Sequence, residues 1–102
     1  MSGGTDVDQP VRSGITAVIV TFRTGDVLLD CVDSVLAAPD VDELVLVNHD
    51  NPPEMVEQLE QRARHDAKLR LIHTGANLGF SRGCNIGVQH ARGDAFLFLN
   101  PD

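Results

Sequence analysis

Ile15-Thr16-Ala17-Val18-Ile19-Val20-Thr21-Phe22 decides the fold. The run is β-branched and almost wholly apolar, with no alternation of wet and dry positions. A strand of that kind is buried on both faces, the pattern of a parallel sheet covered by helices on each side. Downstream, Gly25 and Asp26 open a helix. Its residues Val27, Leu28, Cys31, Val32, Val35 and Leu36 form a one-sided stripe at helical spacing, and Pro39 ends it. Glu43-Leu44-Val45-Leu46-Val47-Asn48 is a second apolar strand, and the breaker-dense turn His49-Asp50-Asn51-Pro52-Pro53 follows it.

A second helix is expected from Glu54 to Ala67, with Met55, Leu59 and Ala63 inward and Glu57, Glu60, Arg62 and Arg64 outward. Lys68 to His73 alternates, as an edge strand with one wet face does. Thr74 to Gly79 is a loop. Phe80 to Ala91 reads as a third helix, with Phe80, Gly83, Cys84, Gly87, Val88 and Ala91 on one face and Gly93 as its C-cap. Ala95-Phe96-Leu97-Phe98-Leu99 is the fourth strand, and Asn100-Pro101-Asp102 follows it.

The order β-α-β-α-β-α-β implies right-handed crossovers and a parallel α/β sheet with helices on both faces. The expected strand order is 3-2-1-4, a doubly wound, Rossmann-like half-domain whose switch point lies between the first and fourth strands. That topology gathers Thr21, Phe22, Asn48, Asn100 and Asp102 on one rim, although they are distant in sequence.

The 102 residues allow one domain, and Met1 to Gly14 reads as a disordered leader ahead of the folded part from 15 to 102. A net charge of −7 argues against sequence-independent nucleic-acid binding, and no run is apolar enough to span a membrane. Cys31 and Cys84 have no metal-ligand spacing and read as free, buried thiols of a reducing compartment, here cytoplasmic. His49, His65, His73 and His90 show no paired spacing, which favours surface or structural roles.

Three features carry candidate chemistry. Asn77-Leu78-Gly79-Phe80-Ser81-Arg82-Gly83-Cys84-Asn85-Ile86-Gly87 is Gly-rich, but it has no Lys-Ser/Thr of a P-loop and stands too late for a dinucleotide fingerprint. Gly83 and Gly87, one turn apart, require something to approach that face closely: the sheet, which spacing favours, or a ligand. Arg23 and Arg82 are either solvated or poised for a diphosphate. Asp102 is either a turn residue or a ligand for Mg2+ or Mn2+, ions usually held by one or two carboxylates plus substrate phosphates.

Taken in order, these pieces resemble the N-terminal half of a family 2 glycosyltransferase of the GT-A type. The resemblance runs from Ile15 to the end. It is carried by Val18 to Phe22, Cys31 to Leu36 and Glu43 to Asn48. Its most specific part is Asn77-Leu78-Gly79-Phe80 … Gly83-Cys84-Asn85-Ile86-Gly87 … Ala91-Arg92-Gly93-Asp94 … Phe98-Leu99-Asn100-Pro101-Asp102. No single piece is specific; their order is.

The resemblance implies that Thr21 and Phe22 cradle a nucleotide and that Asn77, Gly79, Arg82, Gly83 and Asn85 lie beside its diphosphate. Asn100-Pro101-Asp102 is similar to a variant DxD motif found in rhamnosyl- and galactofuranosyl-transferase-like members, with Asp102 as the metal-binding carboxylate. Asn48 stands where the family has an Asp that contacts the base, and Asp50 is a substitute for it. Arg23 stands where many members have Asn.

The implied activity is inverting, metal-dependent transfer of a sugar from a nucleotide-diphosphate sugar to an acceptor hydroxyl, in cell-wall or polysaccharide biosynthesis. The full-length protein would be cytoplasmic or peripheral to the membrane. The general base is expected beyond Asp102, so the chain alone is expected to bind donor at best. The alternative is a non-catalytic module that binds a nucleotide or a partner. The fourth strand, as an apolar edge, is expected to promote self-association.

Overall fold

The computed structural model describes residues 14–101. Of the leader expected over Met1 to Gly14, residues 1–13 lie outside the described residues, as does Asp102. Four strands and three helices alternate: β1 (Ile15–Thr21), α1 (Val27–Ala37), β2 (Glu43–Asn48), α2 (Pro53–His65), β3 (Leu69–His73), α3 (Phe80–His90) and β4 (Ala95–Leu99). They form one four-stranded sheet in the order β3-β2-β1-β4, every pair parallel, as the sequence predicts.

The register explains the rim. Thr21 pairs with Asn48, and Asn48 pairs with His73, so three strands end level with one another. Ile19 pairs with Leu99, so the chain leaves β4 beside Val20 and Thr21.

β1 lies at the centre with Ala17, Val18, Ile19 and Val20 all buried, which is why its sequence shows no alternation. Its side chains divide by parity between two cores. Ala17 and Ile19 join Leu44, Leu46, Leu28, Val32 and Leu59 beneath α1 and α2. Val18 and Val20 join Val45 and Val47 beneath α3. Each fully buried Leu or Ile contributes about 1.5–3 kcal/mol through apolar surface removed from water.

The glycine pair of α3 is explained by the sheet. A Cβ on Gly83 would stand 2.5 Å from Val20 Cγ1, and one on Gly87 would stand 2.5 Å from Val18 Cγ1. α3 therefore lies closer to β1 than any side chain at those positions permits.

Several local expectations are corrected. α1 begins at Val27, whose side chain is exposed rather than part of the buried stripe. Phe80, the first residue of α3, is also exposed, since it precedes the first full turn against the sheet. Gly93 is not the C-cap of α3; Ala91 is, with ordinary φ and ψ. Gly93 serves close approach instead, because a Cβ there would meet Thr16 Oγ1 at 2.6 Å and the Gly14 carbonyl at 2.7 Å.

The amino end of the sheet is held by Glu43. Its Oε1 accepts from Thr16 Oγ1 at 2.9 Å and from the Arg92 amide at 2.8 Å. The Arg70 and Arg92 guanidinium groups each lie 3.7 Å from its Oε2. β4 is the least covered strand, with Phe96, Leu97 and Phe98 all exposed and the two Phe rings stacked 6.4 Å apart.

Candidate functional site

The carboxyl ends of β1 and β2 and the loops behind them enclose a buried polar cluster. Thr21 Oγ1 donates to Thr24 Oγ1 at 2.7 Å. The Thr24 amide donates to Asn51 Oδ1 at 3.1 Å. Asn51 Nδ2 reaches Asn48 Oδ1 at 2.5 Å and Thr21 O at 3.4 Å, and the Asn51 amide reaches Asn48 Oδ1 at 3.3 Å. Asn48 Nδ2 meets His73 Nδ1 at 2.9 Å. One asparagine thus ties the β1–α1 loop to the end of β2. A buried amide is tolerable only when its donors and acceptors are matched, and here they are.

Above this cluster stand Arg23 at φ 50° and Asp50 at φ 54°, the two non-glycine residues with positive φ among the described residues. Each begins the turn out of a central strand. Backbone of this kind costs of order 1 kcal/mol or more per residue and collects at functional sites. The two side chains face each other: Arg23 Nη2 lies 3.3 Å from Asp50 Oδ2. The Arg23 guanidinium also lies 5.4 Å from the centre of the exposed Phe22 ring. The mouth of the cluster therefore carries one acid, one base and one aromatic face.

The third wall is the loop before α3. Asn77 Oδ1 accepts from the Gly79 amide at 3.0 Å, and Gly79 caps α3 at φ 86°. His49 lies beneath it, with Nε2 3.1 Å from the Gly79 carbonyl oxygen and Nδ1 2.6 Å from Thr74 Oγ1.

The sequence-predicted residues divide accordingly. Thr21 and Asn48 are brought together and buried, their polar atoms occupied by protein partners. Phe22 and Asp50 flank the mouth, both exposed. Asn77, Gly79 and Arg82 sit exposed at the start of α3, and Asn100 is exposed just past β4. Gly83 is buried against Val20. Asn85 is exposed about 200° round the helix from Gly83, on the side turned away from the sheet. Thr24, Asn51 and His73 were not singled out by sequence. The breaker-rich His49-Asp50-Asn51-Pro52-Pro53 stretch marked the turn but not which of its residues faces inward.

A cleft of about 570 Å³ opens between the first turns of α1 and α2, bordering the cluster at Thr24 and lined also by Leu29, Met55, Asp26 and Glu54. It includes none of the predicted donor residues. Among the described residues, no group of three or more His, Cys, Asp or Glu side chains is arranged to hold a metal ion. Asp102, the predicted metal ligand, is outside that set. No helix among the described residues is long and apolar enough to cross a membrane.

Comparison with known proteins agrees with this architecture. The chain is 33% identical over 89 residues to an uncharacterized glycosyltransferase, EpsJ, of Bacillus subtilis (strain 168), covering 86% of this chain and 26% of that protein. A mannosyltransferase, PcManGT, from Pyrobaculum calidifontis, solved in complex with GDP-Man and Mn2+, superposes with a TM-score of 0.76 at 17% identity, over 89% of this chain and 28% of that one. S. aureus TarS 1–349 gives 0.72 at 18% identity, over 87% and 27%. These two show a shared fold, and the chain spans only about a quarter of each relative's length. The model of glycosyl transferase family 2 matches residues 16–102, nearly the whole folded part, and the chain belongs to that family.

Proposed function

We propose that this chain is the donor-binding part of an enzyme that transfers a sugar from a nucleotide-diphosphate sugar to an acceptor hydroxyl with inversion. The observation that carries the reading is the convergence of Thr21, Asn48 and the Asp50–Arg23 pair on one rim of a family 2 chain, with the Asn77–Gly79 loop beside them. Ligands of open α/β sheets bind outside the carboxyl ends of the strands, at the switch point.

In this reading Phe22 and Asp50 meet the nucleoside. The buried Thr21–Asn51–Asn48 cluster fixes the loops that present them. Arg82 and the Asn77 to Gly83 segment face the diphosphate, where a guanidinium suits phosphate geometry. Asp102 is the carboxylate that would hold a divalent ion, with donor phosphates completing its oxygen ligands. When bound, such an ion neutralises charge on the leaving diphosphate. Asn100-Pro101-Asp102 supports a place in the rhamnosyl- and galactofuranosyl-transferase-like branch, and a role in cell-wall or polysaccharide synthesis. The general base and the acceptor surface are assigned to the part of the domain beyond Asp102.

Titration with UDP, dTDP and GDP in the presence of Mn2+ tests this. Metal-dependent binding lost in Asp102→Ala is expected. Metal-independent binding unaffected by that change would instead mark a non-catalytic nucleotide module. Sugar turnover by the 102 residues alone would overturn the assignment of the base to a later segment.

A further inference from the structure

His49 has no role in the reading above, yet it is among the most deeply placed polar side chains, 1% exposed. A buried ring with unmatched nitrogens costs several kcal/mol, so its partners define what it does. The Gly79 carbonyl oxygen, 3.1 Å away, can only accept, so Nε2 carries the proton and donates to it. Nδ1 lies 2.6 Å from Thr74 Oγ1. Thr74 and Gly79 are the first and last residues of the loop between β3 and α3. One imidazole, fixed at the end of β2, therefore spans both ends of the loop that carries Asn77.

The fit is tight. A Cβ on Gly83 would stand 3.0 Å from His49 Nε2, so the ring occupies space that only glycine leaves open. At its near end the loop is also tied by the backbone, the Thr74 amide donating to Asn48 O at 3.1 Å. At its far end Gly79 sits at φ 86°, and the carbonyl held by His49 also accepts the Gly83 amide at 3.1 Å. His49 thus orients the first turn of α3 relative to the strand that ends in Asn48.

We infer that His49 is a positioning residue. It holds the loop and first turn of α3, and so Asn77, Gly79 and Arg82, at the place where the donor diphosphate is proposed to lie. It does so without touching the ligand. This rests on the donor-site reading and adds to it a link between the nucleoside side and the phosphate side of the site.

The test compares UDP and GDP, each with Mn2+, against uridine and guanosine, by NMR titration of wild type, His49→Asn and His49→Gln. Amide hydrogen exchange at Gly79 to Gly83 is followed without ligand. Gln places an amide N–H near the ring Nε2 and keeps the bond to Gly79; Asn is too short. His49→Asn is expected to weaken diphosphate binding about tenfold, as for one lost hydrogen bond, and to hasten exchange. Nucleoside affinity stays within about twofold, the range of changes that miss a contact. His49→Gln restores both readouts.

Equal losses for nucleosides and diphosphates, or no rescue by Gln, would overturn the positioning role. So would unchanged exchange at Gly79 to Gly83 in His49→Asn. Absence of diphosphate binding by wild type would sink the donor reading instead, while the exchange data still decide whether His49 holds the loop. If His49→Asn does not fold, the wild-type ring decides: a protonated Nε2 whose proton exchanges slowly is expected from its bond to the Gly79 carbonyl, and a bare Nε2 would overturn the positioning role.

Discussion

Asn48 Nδ2 donates to His73 Nδ1 across 2.9 Å, and the direction of that bond is forced from the other side of the sheet. The Thr24 amide can only donate, so the Asn51 atom facing it is Oδ1. Asn51 Nδ2 must then donate to Asn48 Oδ1, which also accepts the Asn51 amide. Asn48 is left to present Nδ2 to His73, whose Nδ1 is therefore bare. Its Nε2 carries the proton toward Glu60 Oε2, 3.3 Å away. One backbone amide in the β1–α1 loop thereby sets a tautomer on β3.

Asn48→Asp tests that chain. A carboxylate there still accepts from Asn51, but its second oxygen faces a bare Nδ1. The ring must then carry a proton on Nδ1 to make a bond there. Imidazole nitrogen shifts should report a bare Nδ1 in wild type and a protonated Nδ1 in the variant. A bare Nδ1 in the variant would show that the chain does not set the tautomer.

Alanine at the glycines of α3 should separate packing from propensity. Gly83→Ala and Gly87→Ala place a methyl 2.5 Å from Val20 Cγ1 and Val18 Cγ1. Overpacking of that kind costs about 1–3 kcal/mol, offset by up to ~1 kcal/mol of helix propensity. A net loss of about 1–2 kcal/mol is expected for each in urea unfolding. Gly25→Ala, with nothing within 4 Å, is the control and should stay within about 0.5 kcal/mol. Stabilisation by Gly83→Ala would mean that α3 does not lie this close to the sheet.

The legible parts of the sequence and the opaque ones differ in physical kind. The unalternating β1 run, the helical stripes and the turn residues report burial and backbone preference directly. They yielded the parallel sheet and its strand order. The glycine pair announced a close approach, although spacing could favour but not prove the sheet as its cause. The site was legible as a rim, through the register that levels Thr21 with Asn48. Its internal wiring was not. Asn51 and His49 are two residues apart in one turn, yet Asn51 bonds across to the β1–α1 loop and His49 to the loop before α3. Which way each points depends on three-dimensional partners that spacing does not encode. Val27 and Phe80 failed as core residues for a simpler reason: each is the first residue of its helix, where the helical stripe has not yet come to face the sheet.

The contact between α1 and α2 should fade in acid. Arg62 Nε donates to Asp33 Oδ1 at 2.8 Å and Nη2 to Oδ2 at 3.1 Å, a two-pronged pair on the outer surface. The hydrogen bond from Arg62 holds the Asp33 carboxyl below its ordinary 3.8. A depressed folded value contributes stability above the unfolded value and loses it as pH falls through the folded one. Both groups meet solvent, so the contribution is at most about 1 kcal/mol. Asp33→Asn should therefore be less stable than wild type near neutral pH, and the gap should close below about pH 4. A gap unchanged down to pH 2 would rule out the ion pair as its source.

β4 should make the isolated chain self-associate. It is the edge strand beside β1, and Phe96 and Phe98 on one face and Leu97 on the other are all exposed. An apolar edge offers a row of free backbone donors and acceptors together with side chains that gain by burial, which favours pairing with the same strand of a second copy. Sedimentation should show a weight-average mass that rises with concentration. Leu97→Lys keeps the backbone pairing with β1 but places a charge where a second sheet would lie, so it should return the chain toward monomer. Because position 97 is already exposed, the change should alter unfolding by no more than about 0.5 kcal/mol. A wild-type chain that remains monodisperse and monomeric across the concentration series would show that this edge is tolerated in water unpaired.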